Sequence, residues 1–331
     1  MATTSIPSRT ATGAPVPIDR RAIPDDARET VWHAHDGHPI RRIDWPAGTR
    51  GSLLFLPGRG DFYEKYLESL EEWHRAGWSV TAADWRGQAG SGRLGNDAVT
   101  GHIDDFGTWT RDLAGFWADW RAARPGPHVL VAHSMGGHLA MRALIEGAVD
   151  PDAVVLSAPM LGMAGPPLPM GMLHFAARVM NRTGAPQRPA WKWSEKPGEI
   201  PRSRQALLTH DDDRYADEAW WRERRDELVM GPGSWGWVER AYASTRLLEA
   251  SGAMERIDVP ILICSTRHDR LVSHAASERA ARRLPRGELA VWGEEARHEL
   301  LRETDAVRDG VMDRIARFLD EVAPPASLVA A

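Results

Sequence analysis

The segment Val129-Leu-Val-Ala-His-Ser-Met-Gly-Gly-His138 constrains the fold more than any other part of the chain. Val129 to Ala132 offer no polar face. A strand there must be covered on both sides, as in a parallel sheet between helical layers. The run leads straight into Ser134, and small residues follow that suit a tightly packed helix start. So abrupt a strand–turn–helix passage crowds the positions two residues either side of the serine. Ala132 and Gly136 stand there, and both are small.

Similar runs recur along the chain. Glu29–His35 and Ile40–Trp45 flank Asp36-Gly37, a turn signal, and predict a hairpin. Ser52–Leu56, Trp78–Asp84, His128–His133, Ala153–Ala158, Pro260–Thr266 and Glu288–Trp292 bring the predicted strands to eight. Helical patterns lie between most of the later ones. Asp61–Ala76 places Tyr63, Tyr66, Leu67, Leu70 and Trp73 on one face, and Asp104–Arg124 does the same with Leu113, Phe116, Trp117 and Trp120. Met135–Gly147, Ala275–Leu284 and Ala306–Val322 complete the set. The alternation predicts an α/β fold: a doubly wound, mostly parallel, eight-stranded sheet.

The alternation breaks between about Met160 and Glu255, a stretch rich in proline and tryptophan with no obvious strand. It reads as a helical cap inserted over the sheet's C-terminal edge. The expected organisation is therefore a loose tail (1–26), a core (27–159 and 256–323), the cap (160–255) and a short C-terminal tail (324–331).

Composition removes several function classes. With 43% hydrophobic and 26% charged residues, the 331-residue chain has ample material for a core. That excludes a mostly disordered or collagen-like chain. The 41 basic residues against 46 acidic ones leave no global basic field to attract nucleic acid. The lone Cys264 cannot form an intrachain disulfide, so a reducing compartment is compatible. No uncharged apolar stretch reaches the roughly 18 residues of a membrane span. Met1 to Arg9 lack the apolar core of a secretory signal. The expectation is a cytoplasmic protein.

A serine on such a turn exposes its oxygen at the sheet edge, beside the N–H groups that open the following helix. Taken alone, Ser134 also admits the blander reading of an N-cap. Its candidate partners decide the matter. A serine hydroxyl needs a base to take its proton, and the base needs an acid to orient it. The strand from Pro260 ends in a loop that presents Asp269. The next strand, Glu288–Trp292, is followed by a loop that presents His298. Separately these are a turn cap and a loop histidine. Together they give the order serine, acid, histidine, each after a strand's C-terminal end. The loop Leu56-Pro-Gly-Arg-Gly-Asp61 supplies a close backbone approach, with Arg59 and Met135 N–H as candidate oxyanion donors. Gly58 and Gly60 fit a simple tight turn as well.

These segments resemble the α/β-hydrolase superfamily, and within it the monoacylglycerol lipase and bacterial lysophospholipase branch. The carrying residues are Leu56-Pro-Gly-Arg-Gly-Asp-Phe62, Asp84-Trp-Arg-Gly-Gln-Ala-Gly-Ser-Gly-Arg93, Ala132-His-Ser-Met-Gly-Gly137, Leu156-Ser-Ala-Pro-Met-Leu161 and the Asp269 and His298 loops. The resemblance implies Ser134 as nucleophile, Asp269 as acid, His298 as base, a carboxylic ester of a lipid as substrate, and no metal or cofactor. The chain departs from the pattern at Pro57, Arg59, Ala132 and Ala89-Gly90, none of which removes a catalytic group. A serine aminopeptidase or small-ester hydrolase, and a non-catalytic ligand-binding relative, are the competing readings.

Other features read blandly. Gly90-Ser-Gly-Arg-Leu-Gly95 matches a dinucleotide fingerprint in letters only, since no helix pattern opens at Gly92. His33, His35 and His38 belong to an exposed hairpin. The run Asp211–Asp213 is either an anchor for a substrate amino group or a solvated helix start. The tryptophans between 191 and 237 are compatible with an acyl pocket, with peripheral contact to a membrane, or with the core of a small domain. Pro166–Met172 reads as a lid edge. Oligomeric state is not readable.

Overall fold

The computed structural model describes residues 17–46, 48–165, 168–192 and 201–324. Eight strands form one sheet: β1 (Arg28–His33), β2 (Pro39–Trp45), β3 (Gly51–Leu56), β4 (Trp78–Ala83), β5 (His128–His133), β6 (Ala153–Ser157), β7 (Ile261–Thr266) and β8 (Gly287–Trp292). Their order is β1-β2-β4-β3-β5-β6-β7-β8. β1 and β2 pair antiparallel, as do β2 and β4, and the remaining pairs are parallel. The eight-stranded, mostly parallel sheet expected from the sequence is present.

Alternation along the strands builds two cores. Leu54, Leu56, Leu130 and Ala132 pack under α2 (Phe106–Ala123), α3 (Met135–Ile145) and α8 (His274–Arg283). Leu53, Phe55, Val129 and Val131 pack under α1 (Leu67–Arg75) and α9 (Asp305–Val322). Every residue of β3 and β5 is buried. That is why their sequences read as unbroken apolar runs rather than alternating ones. A 3₁₀ turn, Tyr63–Tyr66, precedes α1 and splits the helix expected from Asp61.

Between β6 and β7 come α4 (Met170–Arg182), α5 (Arg202–Leu208), α6 (Asp212–Arg224) and α7 (Trp235–Glu249). They are not a separate body. Trp237, Ala241 and Leu248 of α7 join the α2/α3 core, and α6 packs on the Tyr63–Tyr66 turn. None of the described helices is long and apolar enough to cross a membrane.

One expectation is corrected at the N-terminal side. Residues 1–16 and 325–331 lie outside the described residues, but the remainder of the expected loose tail is docked. Arg20 and Arg21 pair with Asp217 of α6 at 2.5 and 2.6 Å, and the Trp221 indole donates to the Arg20 carbonyl at 2.9 Å. The apolar period used to recognise packed segments does not register an arginine pair held by one carboxylate.

Candidate active site

β3 and β5 lie side by side although β4 separates them in the chain, so strand order reverses between them. Crevices at such a reversal, beyond the strands' C-terminal ends, are where open α/β sheets bind ligands. Leu56 and Ala132 are register partners there. The Gly58–Asp61 loop and the Ser134 turn therefore leave the sheet together.

Ser134 has φ +49° and ψ −115°, a strained conformation for a residue with a β-carbon. It precedes α3 but makes no side-chain cap bond, so the N-cap reading does not describe it. The sterics behind Gly136 are explicit. A β-carbon there would lie 2.5 Å from the carbonyl oxygens of both Leu56 and Pro57. A β-carbon on Gly58 would lie 3.1 Å from that of Ser134. The start of α3 thus packs against the backbone of the Leu56-Pro57 turn, and Gly58 packs against the side chains of Asp61, His133 and Ser134.

The fold brings the other two predicted residues to it. Asp269 Oδ2 lies 2.7 Å from His298 Nδ1, and His298 Nε2 lies 3.0 Å from Ser134 Oγ. Asp269 Oδ1 accepts from the N–H of Leu271 and Val272 at 2.8 and 2.9 Å. Thus the turn cap and the histidine partner are one side chain using different oxygens. Burial pushes Asp269 up, but His298 and the two backbone donors outweigh it and hold the acid below its ordinary value. An ionised carboxylate can only accept, so Nδ1 carries the proton. The neutral ring then offers Nε2 as acceptor to the serine hydroxyl. Burial lowers the pKa of His298, yet the Asp269 charge and hydrogen bond prevail and raise it above the ordinary value.

A family model described as "Serine aminopeptidase, S33" matches residues 47–305. The chain belongs to this family of α/β hydrolases. It is 29% identical over 304 residues to lysophospholipase L2 of Escherichia coli, covering 86% of this chain and 85% of that protein. Its fold is similar to that of a soluble variant of Saccharomyces cerevisiae monoglyceride lipase, with a TM-score of 0.71, 18% identity, and coverage of 93% of this chain and 99% of that one. It is also similar to Paleococcus ferrophilus monoacylglycerol lipase, with a TM-score of 0.65, 21% identity, and coverage of 85% and 98%.

In this family member, the N–H groups flanking Arg59 are already engaged. That of Gly58 donates to Asp61 Oδ2 at 3.1 Å and that of Gly60 to Gln88 Oε1 at 2.5 Å. The Arg59 guanidinium donates to the Gly231 carbonyl at 2.8 Å and lies over the rings of Trp191 and Trp237. Met135 opens α3, where the first N–H groups have no intrahelical acceptor.

Sequence reasoning missed the residues behind this constellation. Asp61, Lys65, Glu218 and Glu299 are buried and joined by ion pairs. The His133 ring lies between those of Tyr66 and His298, tilted to both, and donates through Nδ1 to the Ser157 carbonyl at 3.1 Å. Burial, with His298 adding to it, pushes its pKa down to about 4, so it is neutral. A readable signal existed: Lys65 sits between Tyr63 and Tyr66, where its neighbours face inward. The Asp211 run resolves as a helix start, with Asp211 capping α6 through the Arg214 N–H at 2.7 Å and pairing with the Arg214 guanidinium at 2.9 Å. Among the described residues, no group of three or more His, Cys, Asp or Glu is arranged to hold a metal. Trp221 and Trp237 are core residues, whereas Trp191 is exposed; Trp193 and Pro166-Pro167 lie outside the described residues.

Proposed function

We propose that this chain hydrolyses a carboxylic monoester of a lipid, a lysophospholipid or a monoacylglycerol, through an acyl-enzyme on Ser134. The observation that carries the reading is the unbroken Asp269–His298–Ser134 hydrogen-bond chain on a strained turn at the sheet's crevice. His298 takes the Ser134 proton as Oγ attacks the ester carbonyl. Asp269 orients the ring and stabilises its charged form. The N–H groups of Arg59 and Met135 receive the developing oxyanion. The alcohol leaves with the proton from His298. Water, deprotonated by the same histidine, then releases the fatty acid.

The helical insertion α4–α7 is the proposed cap. α4 supports contact with a lipid surface. Met172, Phe175 and Val179 are exposed at spacings of three and four residues, which is one helical stripe, Leu168 is exposed just before the helix, and Phe175 is 68% exposed. The arginines Arg178 and Arg182 flank the stripe and suit anionic headgroups. We read the occupant of this face as the bilayer that carries the substrate. An aminopeptidase reading would need an acid for the substrate's amino group, and Asp211 is committed to α6.

The test is product release from long-chain monoacylglycerol, lysophospholipid, a short nitrophenyl ester and an aminoacyl amide, each beside Ser134→Ala. The proposal expects the long-chain lipids to be the best substrates and the mutant to be dead. Preference for the amide would move the assignment to a peptidase. Turnover of the short ester alone would remove the lipid assignment.

A further inference from the structure

Beneath Ser134 and His298 lies a closed knot of charge. The Lys65 side chain is fully buried, with Nζ 2.6 Å from Asp61 Oδ1, 2.7 Å from Glu299 Oε1 and 2.8 Å from Glu218 Oε2. An ammonium has three N–H donors; here it donates to Asp61 and Glu299, and Glu218 stands beside it at ion-pair distance. The acids come from three different parts of the fold. Asp61 closes the oxyanion loop, its second oxygen accepting from Gly58 N–H and the Tyr66 hydroxyl at 3.1 and 2.9 Å. Glu299 follows His298 in the chain and also pairs with Arg302. Glu218 belongs to α6 and pairs with Arg222 at 2.8 Å. Arg222 in turn donates to the Gly60 carbonyl at 3.4 Å. Three cations balance three anions, as burial of so much charge requires.

The residue type is itself informative. Lys65 is one of three lysines among the chain's 41 basic residues; arginine serves elsewhere. A planar guanidinium fork suits one or two carboxylates side by side. A compact ammonium suits three that converge from different directions.

We propose that Lys65 is a positioning residue for the hydrolysis: its ammonium holds the oxyanion loop, the His298 loop and helix α6 in one register, and it balances the acids that face His298. This inference rests on the proposed roles of Ser134 and His298. The groups facing His298 are Asp269 from the loop after β7, Ser134 and His133 from the elbow, Asp61 from the oxyanion loop and Glu299 from its own loop. Tyr66, Lys65 and Arg302 close the shell behind them. Without the ammonium, Asp61 and Glu299 present unbalanced negative charge to the imidazole and favour its protonated, inactive form. Asp61 also loses the partner that fixes the Gly58 end of the oxyanion loop.

The experiment follows the rate at which a long-chain alkyl fluorophosphonate labels Ser134 between about pH 5 and about pH 9, the range in which histidine titrates. It compares wild type, Lys65→Met, Glu299→Gln and the double variant Lys65→Met/Asp61→Asn. In Lys65→Met the acidic limb should move up by about one pH unit and the plateau should fall about tenfold. In Glu299→Gln the limb should move down. The double variant, with charge balance restored, should return the limb to its wild-type position. A merely structural role would lower plateaus without moving limbs in opposite directions. Unmoved limbs, or shifts of one sign in both single variants, would overturn the proposal. If thermal melts show that Lys65→Met is unfolded, Glu299→Gln decides alone: a downward shift supports the proposal and an unmoved limb overturns it. Wild type that fails to label at Ser134 would overturn the proposed function itself, an outcome separate from these.

Discussion

His298 Nδ1 stands 2.7 Å from Asp269 Oδ2, and the backbone N–H groups of Leu271 and Val272 hold the same carboxylate from its other side. The acid is thus fixed by the turn it terminates, and the histidine is fixed by the acid. Asp269→Asn keeps the shape but lets the amide donate, which favours the tautomer with its proton on Nε2. That tautomer cannot accept from Ser134. Steady-state kinetics should show kcat falling by roughly three to four orders of magnitude with little change in melting temperature.

The pH dependence follows from the same pair. His298 acts as a base only when neutral, and Asp269 raises its pKa above the ordinary value despite burial. Activity should be full above that raised pKa and decline as pH falls through it. The acidic limb of kcat/KM should therefore lie above the roughly 6.5 of a free histidine. A limb well below that value would show that the imidazole does not carry the influence of Asp269.

Gly136→Ala tests the elbow's sterics. The added methyl would sit 2.5 Å from the Leu56 and Pro57 carbonyl oxygens, so the turn or α3 must shift to admit it. The expected outcome is a loss of about 1–3 kcal/mol in stability, seen as a lower melting temperature, and at least a tenfold fall in kcat. Unchanged melting and turnover would mean that the loop and α3 are not packed backbone to backbone.

Acid stability reports on the buried knot. Burial pushes Glu218 and Glu299 up, but Arg222, Lys65 and Arg302 outweigh it and hold both at about 2. These values lie below the unfolded ones of about 4. The stability they contribute is present above that value and is lost as pH falls toward about 2. Melting temperature should hold above about pH 6.5, decline below it as the unfolded chain protonates His133 and His138, which burial keeps neutral down to about 4, and fall more steeply below about pH 4 as the knot's acids add their share. Glu218→Gln should flatten part of the fall.

Vesicle flotation tests the α4 face. Phe175→Asp combined with Met172→Asp should weaken binding to vesicles containing anionic lipid at least tenfold. Turnover of a short dispersed ester should be unaffected. Equal binding by the double variant would free the stripe from a lipid role.

Much of the fold was legible in the sequence because burial on both faces of β3 and β5 leaves apolar runs that nothing else explains. That Ser134, Asp269 and His298 would come together could be expected because each follows a strand's C-terminal end. What escaped was charge that does not go to solvent. Nothing in the sequence marks Lys65, Glu218 or Glu299 as buried, because a sequence does not reveal that Glu218 and Glu299, far along the chain, converge with the nearby Asp61 on one ammonium. The place of α7 escaped for a related reason. Its Trp237 fits the core of a small domain until α2 and α3 are seen to share it.

The most direct test of the central claim is to mix the protein with a long-chain ester, quench within milliseconds and measure peptide masses. The account predicts one acyl group on the peptide containing Ser134, a burst of alcohol equal to the enzyme concentration, and neither in Ser134→Ala. Acylation at another residue, or undiminished turnover by Ser134→Ala, would contradict it.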